Sequence, residues 1–177
     1  MILACTAPFV GARDTRNAMV RKYMIAAVSA TVVALSSAAF ARQTGGTADE
    51  AKAMLMKAVA AVRADKAKAL DMFNKGEGGF RDRDLYVFCA NASDGAIVAM
   101  GNPNLKQALG VDVRAGQNST GEAFGAEIYA AIQKPEGQIT EVSYVGPKPD
   151  PDDRLVAKTT LVARASDDLG CGVGYYK

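Results

Sequence analysis

Two cysteines constrain this chain more than any other feature. Cys89 stands in the β-rich run "DLYVFCA" and Cys171 in the glycine-spaced run "GCGVGYY". If they are joined, two stretches far apart in sequence must be neighbours in space, because a disulfide needs Cα atoms within about 7 Å of each other. Whether they are joined depends on compartment, since disulfides persist where the surroundings oxidise. The alternative is a pair of inert buried thiols.

The N-terminus bears on that choice. Arg21 and Lys22 precede "YMIAAVSATVVALSSAAFA", a charge-free run that ends in Ala39-Phe40-Ala41. A basic segment, an apolar segment and an A-x-A site are what a signal peptidase reads. Cleavage is expected before Arg42, which makes 19–41 a signal peptide and 1–18 an upstream extension, with Met19 an alternative start to Met1. A retained anchor is the competing reading, as the run approaches the roughly 20 residues that cross a bilayer, but its alanines and serines make a poor span. Export implies a periplasmic or secreted protein with no membrane attachment. It also removes Cys5 and leaves an even pair. Joining Cys89 to Cys171 then stabilises by about 4 kcal/mol on the chain-entropy account.

Export changes the charge as well. The whole chain carries 21 Lys and Arg against 19 Asp and Glu, a formal +2. Arg13, Arg16, Arg21, Lys22 and Asp14 precede the cleavage site, so the exported chain holds 17 basic and 18 acidic residues, a net −1. No cationic face for nucleic acid is expected.

Residues 42–46 form a flexible lead-in. Thr47-Ala-Asp-Glu50 is a capping box, and behind it Ala51, Met54, Leu55, Ala58, Val59, Val62, Ala69, Leu70 and Phe73 follow three-four spacing. That stripe predicts one long helix ending at Gly76. "DLYVFCA" and "AIVAM" predict a hairpin across the turn "NASDG". "GNPNLKQALGVDVRAGQNSTG" reads as irregular chain with one helical turn, and "EAFGAEIYAAIQK" as a short amphipathic helix. Three further strands are expected in "QITEVSYV", "RLVAKTTLVARA" and "GCGVGYY", the first two divided by the turn "GPKPDPDD". The order predicts an α+β domain: a mostly antiparallel sheet with its helices gathered on one face. If the first and last strands lie side by side in the middle, the two cysteines meet.

The chain contains no histidine. That removes Ser-His-Asp and Cys-His catalysis, H-E-x-x-H zinc sites and haem attachment through C-x-x-C-H. No catalytic residues, no metal site and no cofactor are expected, and the chain is not expected to be an enzyme. "GCGVG" lacks a following helix to receive a pyrophosphate; its glycines suit a central strand packed closely against a helix or ligand. "DPDD" lacks EF-hand spacing and reads as a solvated turn. Asn91-Ala-Ser93 and Asn118-Ser-Thr120 match the glycosylation sequon but serve turns.

Lys158 shares strand parity with Val156, Thr160 and Val162. It is an anion anchor if that face borders a pocket, and a solvated charge otherwise. Tyr86 and Phe88 share a parity opposite to Leu85, Val87 and Cys89. With Tyr144, Phe124 and Tyr129 they either close an aromatic-lined cleft or pack the core.

In order along the chain, the long capped helix, "FRDRDLYVFCANASDGAIVAMGNPN", "GEAFGAEIYAAI", "EVSYVGPKP", "VAKTTLV" and "GCGVGYY" resemble a single Cache domain of the bacterial extracytoplasmic sensor type, over residues 47–177. The resemblance implies a PAS-like antiparallel five-stranded sheet, with a long N-terminal helix and a short crossover helix packed against it. It also implies a pocket for a small organic molecule, often a carboxylate, between sheet and loops. The family's hairpin falls on Tyr86, Val87, Phe88, Asp94 and Gly95. Its "SY…PKP" segment falls on Ser143, Tyr144, Pro147, Lys148 and Pro149, and its strand lysine on Lys158. The chain departs from the family where members carry a histidine before the proline after the second strand, reading Ala99-Met100-Gly101-Asn102-Pro103. It departs again where Thr159, Thr160 and Leu161 replace the usual aromatic. Tyr86, Phe88, Met100, Tyr144 and Lys158 are therefore the expected ligand contacts. The implied function is small-molecule sensing in the periplasm, either alone or through a separate signalling partner. A non-catalytic interaction or dimerisation module without a ligand, its long helix paired with a second copy or another protein, is the alternative.

Overall fold

The computed structural model describes residues 45–118, 120–147 and 154–177, which belong to one compact unit, Gln43–Lys177. The expected signal peptide and upstream extension, the start of the lead-in, Lys148, Pro149 and the acidic part of the proline turn lie outside the described residues. Among the described residues no helix is long and apolar enough to cross a membrane.

The capping box forms as expected at the start of α1 (Ala48–Ala64). Thr47 Oγ1 accepts from the Glu50 amide at 3.2 Å and Glu50 Oε2 accepts from the Thr47 amide at 2.8 Å. The expectation of one unbroken helix is corrected at Asp65, which adopts φ −160°, ψ 96° and opens a second helix, α2 (Lys66–Lys75). Its carboxylate accepts from the Lys68 amide at 3.0 Å, satisfying a donor that a new helix start would leave orphaned. The apolar stripe continues through the break, with Val62 before it and Ala69 and Phe73 after it buried in one cluster. Gly76 stops α2 at φ 69°, a left-handed cap that suits glycine.

The sheet runs β3 (Ile97–Met100), β2 (Leu85–Asn91), β6 (Leu169–Tyr176), β5 (Leu155–Ser166), β4 (Ile139–Pro147), all neighbours antiparallel. These are the five expected strands. A sixth, β1 (Arg81–Asp82), forms a two-residue ribbon with the start of β2. The first and last of the five expected strands are adjacent, and Cys89 pairs with Cys171 in their ladder. A disulfide joins the two across a separation of 82 residues.

The helices do not share a face, which corrects the expected arrangement. The odd-numbered side of β2, with Leu85, Val87 and Cys89, packs with Leu161, Ala163, Cys171 and Val173 beneath α1 and α2. The opposite side, with Phe88, Ala90, Met100, Val142 and Val162, packs beneath α3 (Gly125–Ile132) through Ile128, Ala131 and Ile132. α3 has eight residues and covers only part of that face. Between β3 and α3 the chain makes two 3-10 turns, Pro103–Ala108 and Val113–Ala115, in place of the single helical turn expected. Beyond the reach of α3, this second face stands open among loops.

Candidate functional site

The register of the sheet assembles the site row by row. Tyr144 on β4 pairs with Lys158 on β5, which pairs with Tyr176 on β6. Residues directly opposite in an antiparallel pair project to the same side, so the lysine stands between two tyrosines on the face that α3 leaves uncovered. The next row inward holds Val142, Thr160 and Gly174. A Cβ on Gly174 would lie 2.5 Å from Lys158 Cε and 2.9 Å from Thr160 Oγ1. The lysine side chain therefore crosses β6 where there is no side chain, and reaches Tyr86 on β2. The glycine spacing of "GCGVG" predicts a close approach by a helix or ligand: Gly170 meets α3, where a Cβ would lie 2.5 Å from Ile132 Cγ1, whereas Gly174 admits the lysine instead.

A cavity of about 870 Å³ opens above this row, within the range usual for small-molecule sites. Tyr86, Tyr144, Lys158 and Tyr176 line it from the sheet. The turn after β3 contributes Asn102, Pro103, Asn104 and Leu105, and the segment before α3 contributes Gln117, Asn118 and Phe124. Arg81, Asp82, Arg83 and Asp84, the β1–β2 ribbon and its turn, close one side.

Lys158 is 6% exposed. Its Nζ donates to the hydroxyls of Tyr86 and Tyr176 at 3.4 and 3.5 Å and lies 5.0 and 4.7 Å from the centroids of those two rings. No ion pair among the described residues involves it. Tyr144 shares a hydrogen bond of 3.1 Å with Thr160 Oγ1 and stacks on Phe124 at 4.0 Å between centroids. Burial holds the Tyr86 hydroxyl above its ordinary 10.0, against a smaller opposing hydrogen bond from Asn102. Burial also raises Tyr144 and Tyr176, opposed in each case by the nearby Lys158 charge. At neutral pH the cavity thus presents uncharged phenols around a single deep cation, a set rich in donors and complementary to an acceptor group.

The walls are held by polar fastenings. Asn118 Nδ2 donates to the Val145 carbonyl at 2.7 Å, and its Oδ1 accepts from the Thr120 and Glu122 amides. It pins the loop before α3 to β4, the turn role expected of that sequon. Lys106 donates to the carbonyls of Asn74 and Met100, tying the turn after β3 to the end of α2. Arg83 has φ 53°, a left-handed conformation unusual for a residue with a side chain. It is held by Glu50 at 2.6 Å, Asp82 at 2.7 Å and the Gly45 carbonyl at 3.0 Å.

Of the five expected contacts, Tyr86, Tyr144 and Lys158 come together at the cavity. Phe88 and Met100 do not line it. They pair with each other two rows inward of Lys158, Phe88 also opposite Gly172, and are buried beneath α3 at 8% and 6% exposure. Parity grouped Phe88 with Tyr86, but α3 occupies the space above Phe88 and Met100. Phe124 belongs to the wall. Tyr129 does not: its hydroxyl donates to the Ala92 carbonyl at 2.9 Å, and its ring lies under Arg114. Sequence reasoning missed Tyr176, Asn102 and the ribbon Arg81–Asp84. The two tyrosines ending β6 were a usable signal for the first; nothing in the pattern marked the others.

No protein-family model matches the chain, and no curated protein matches it in sequence. In structure it is similar to a methyl-accepting chemotaxis protein from Vibrio parahaemolyticus RIMD 2210633, with TM-score 0.53 and 22% identity over 72% of this chain and 86% of that one. It is also similar to a periplasmic sensor domain of a chemotaxis protein, with TM-score 0.51 and 17% identity over 72% of this chain and 88% of that one. A third structure, described as the basis for carboxylic acid recognition by a Cache chemosensory domain, lies lower, at TM-score 0.49 and 20% identity over 72% of this chain and 86% of that one. At these identities what is shared is the fold. The chain has the fold of bacterial chemotaxis sensor domains.

Proposed function

We propose that this chain is an extracytoplasmic, non-catalytic sensor-type domain that binds a small organic acid around Lys158. The observation that carries the reading is a lysine cation at 6% exposure, without an ion pair among the described residues and flanked by neutral phenols. Burying a charge is costly unless an opposite charge or several hydrogen bonds compensate it. Two long hydrogen bonds and two ring faces compensate it in part; a carboxylate would add the counter-charge and accept from the phenols together. Phe124, Tyr144 and Leu105 enclose such a ligand in apolar surface, and its acceptor oxygens fix its orientation. A buried disulfide accords with residence in an oxidising space, and a structural neighbour of the same fold is a periplasmic sensor domain.

The test is a thermal-shift screen of the exported chain against short carboxylates, amino acids and amines. A ligand at 100 times its Kd stabilises by about 2.7 kcal/mol, which raises Tm by several degrees in a domain of this size. Shifts confined to acids, and lost in Lys158→Met, are the expected result. Silence across the library, or a response to amines alone, overturns the reading. Intact mass of the native protein checks export: it should begin at Arg42.

A further inference from the structure

The cavity holds a second cation that is not committed elsewhere. Arg81 lies directly opposite Tyr86 in the β1–β2 ribbon, so the two side chains project to the same side. The Tyr86 hydroxyl lies 3.4 Å from Lys158 Nζ. Arg81 and Lys158 therefore stand at the two ends of one tyrosine side chain, on the wall of the same cavity. Of the other charges of that wall, Arg83 is paired with Asp82 and Glu50, and Asp84 Oδ1 accepts from the Gly46 amide at 2.6 Å while its Oδ2 is buried without a hydrogen-bond partner. Neither Arg81 nor Lys158 takes part in an ion pair among the described residues. The Arg81 stem also has a fixed course: a Cβ on Gly76 would lie 3.3 Å from Arg81 Cβ and 3.2 Å from its Nε, so the end of α2 supports it along its length.

We infer that Arg81 is a specificity-determining residue and that the cavity takes a ligand with two acid groups. The inner carboxylate meets Lys158 and the phenols of Tyr86 and Tyr176; the outer one meets the Arg81 guanidinium, whose planar fork matches a carboxylate bidentately. The spacing of the two cations along Tyr86 sets the separation of the two acid groups. A monoacid occupies only the inner half. This inference rests on the acid-binding reading above and adds ligand class to it.

Isothermal titration of the exported chain with acetate, propionate, succinate and glutarate, at neutral pH and matched ionic strength, tests it. One of the two diacids should bind at least about tenfold tighter than propionate, the worth of one charge-assisted hydrogen bond. Arg81→Gln should abolish that preference and leave propionate affinity unchanged, while Arg81→Lys should restore part of it. The diacid should also lose affinity with salt more steeply than propionate, and Arg81→Gln should remove the difference. Arg81 is exposed, so an unchanged Tm without ligand verifies that the variant folds. If propionate binds as tightly as both diacids, or Arg81→Gln weakens all the acids alike, the inference is overturned while the acid-binding reading stands. If none of the four acids binds, this inference is overturned, and the wider screen decides the acid-binding reading.

Discussion

Lys158 occupies its position because Gly174 leaves room for it. A methyl group at 174 would meet the lysine stem at 2.5 Å, and the stem is flexible enough to swing away. Gly174→Ala should therefore displace the lysine, and should cost some stability because the buried Thr160 Oγ1 would lie 2.9 Å from the new methyl; it should abolish the ligand-induced thermal shift, because the ammonium no longer reaches Tyr86, and a preserved shift would show that the lysine is not needed in that place. Glu50 gives a second test at this scale. The backbone hydrogen bond from Thr47 and then the Arg83 guanidinium depress its carboxyl from an ordinary 4.5 to about 2. A group with a depressed folded value stabilises fully above its unfolded value and loses that contribution as pH falls through the folded one. Urea midpoints should accordingly fall between pH 4.5 and 2, and Glu50→Gln should flatten that part of the profile. Residues of this kind were only half legible in the sequence. Alternation grouped Tyr86 with Phe88, and Lys158 with Val156, Thr160 and Val162, but it left open which face of the Lys158 strand borders a pocket, and it carries no depth. It could not say that α3 would cover the row of Phe88 and Met100 and stop short of Lys158.

At the scale of elements, the strands β2, β4, β5 and β6 and the helix α3 were readable because each keeps one period from end to end, and turn residues bound most of them. The break between α1 and α2 was not. Asp65 falls on the solvent side of the stripe, so the apolar pattern runs through it unbroken while the backbone does not. Its side chain gives the break a function as a cap: Asp65→Ala should lower stability by about 1 kcal/mol, and urea denaturation will show whether a loss within roughly 0.5 to 2 kcal/mol occurs. The ribbon β1 escaped notice because two residues are too few to show a period, and Arg83 sits at its turn, where glycine is the residue that sequence reasoning looks for.

At the scale of the whole molecule, the sheet closes only when β6, the last strand, enters between β2 and β5. The disulfide fastens that closure at its middle, in the ladder between β2 and β6. Reduction should lower stability by about 4 kcal/mol, read as a shift in the denaturant midpoint of the reduced, alkylated protein; an unchanged midpoint would mean that the closure holds without the bond. This pairing was legible once export was read from the leader, since an even pair of cysteines in two strand-like runs leaves few arrangements. The openness of one end of the second face was not, because it depends on how far an eight-residue helix reaches.

The row of Phe88 has one further consequence. Its ring lies against Gly172, where a Cβ would approach it to 2.6 Å, so no side chain from β6 stands behind it, and it follows Tyr86 of the cavity wall on the same side of β2. Phe88→Ala should deepen the chamber down to bare backbone and admit longer acyl chains, whereas the same truncation above a strand with side chains would merely let its neighbours collapse inward.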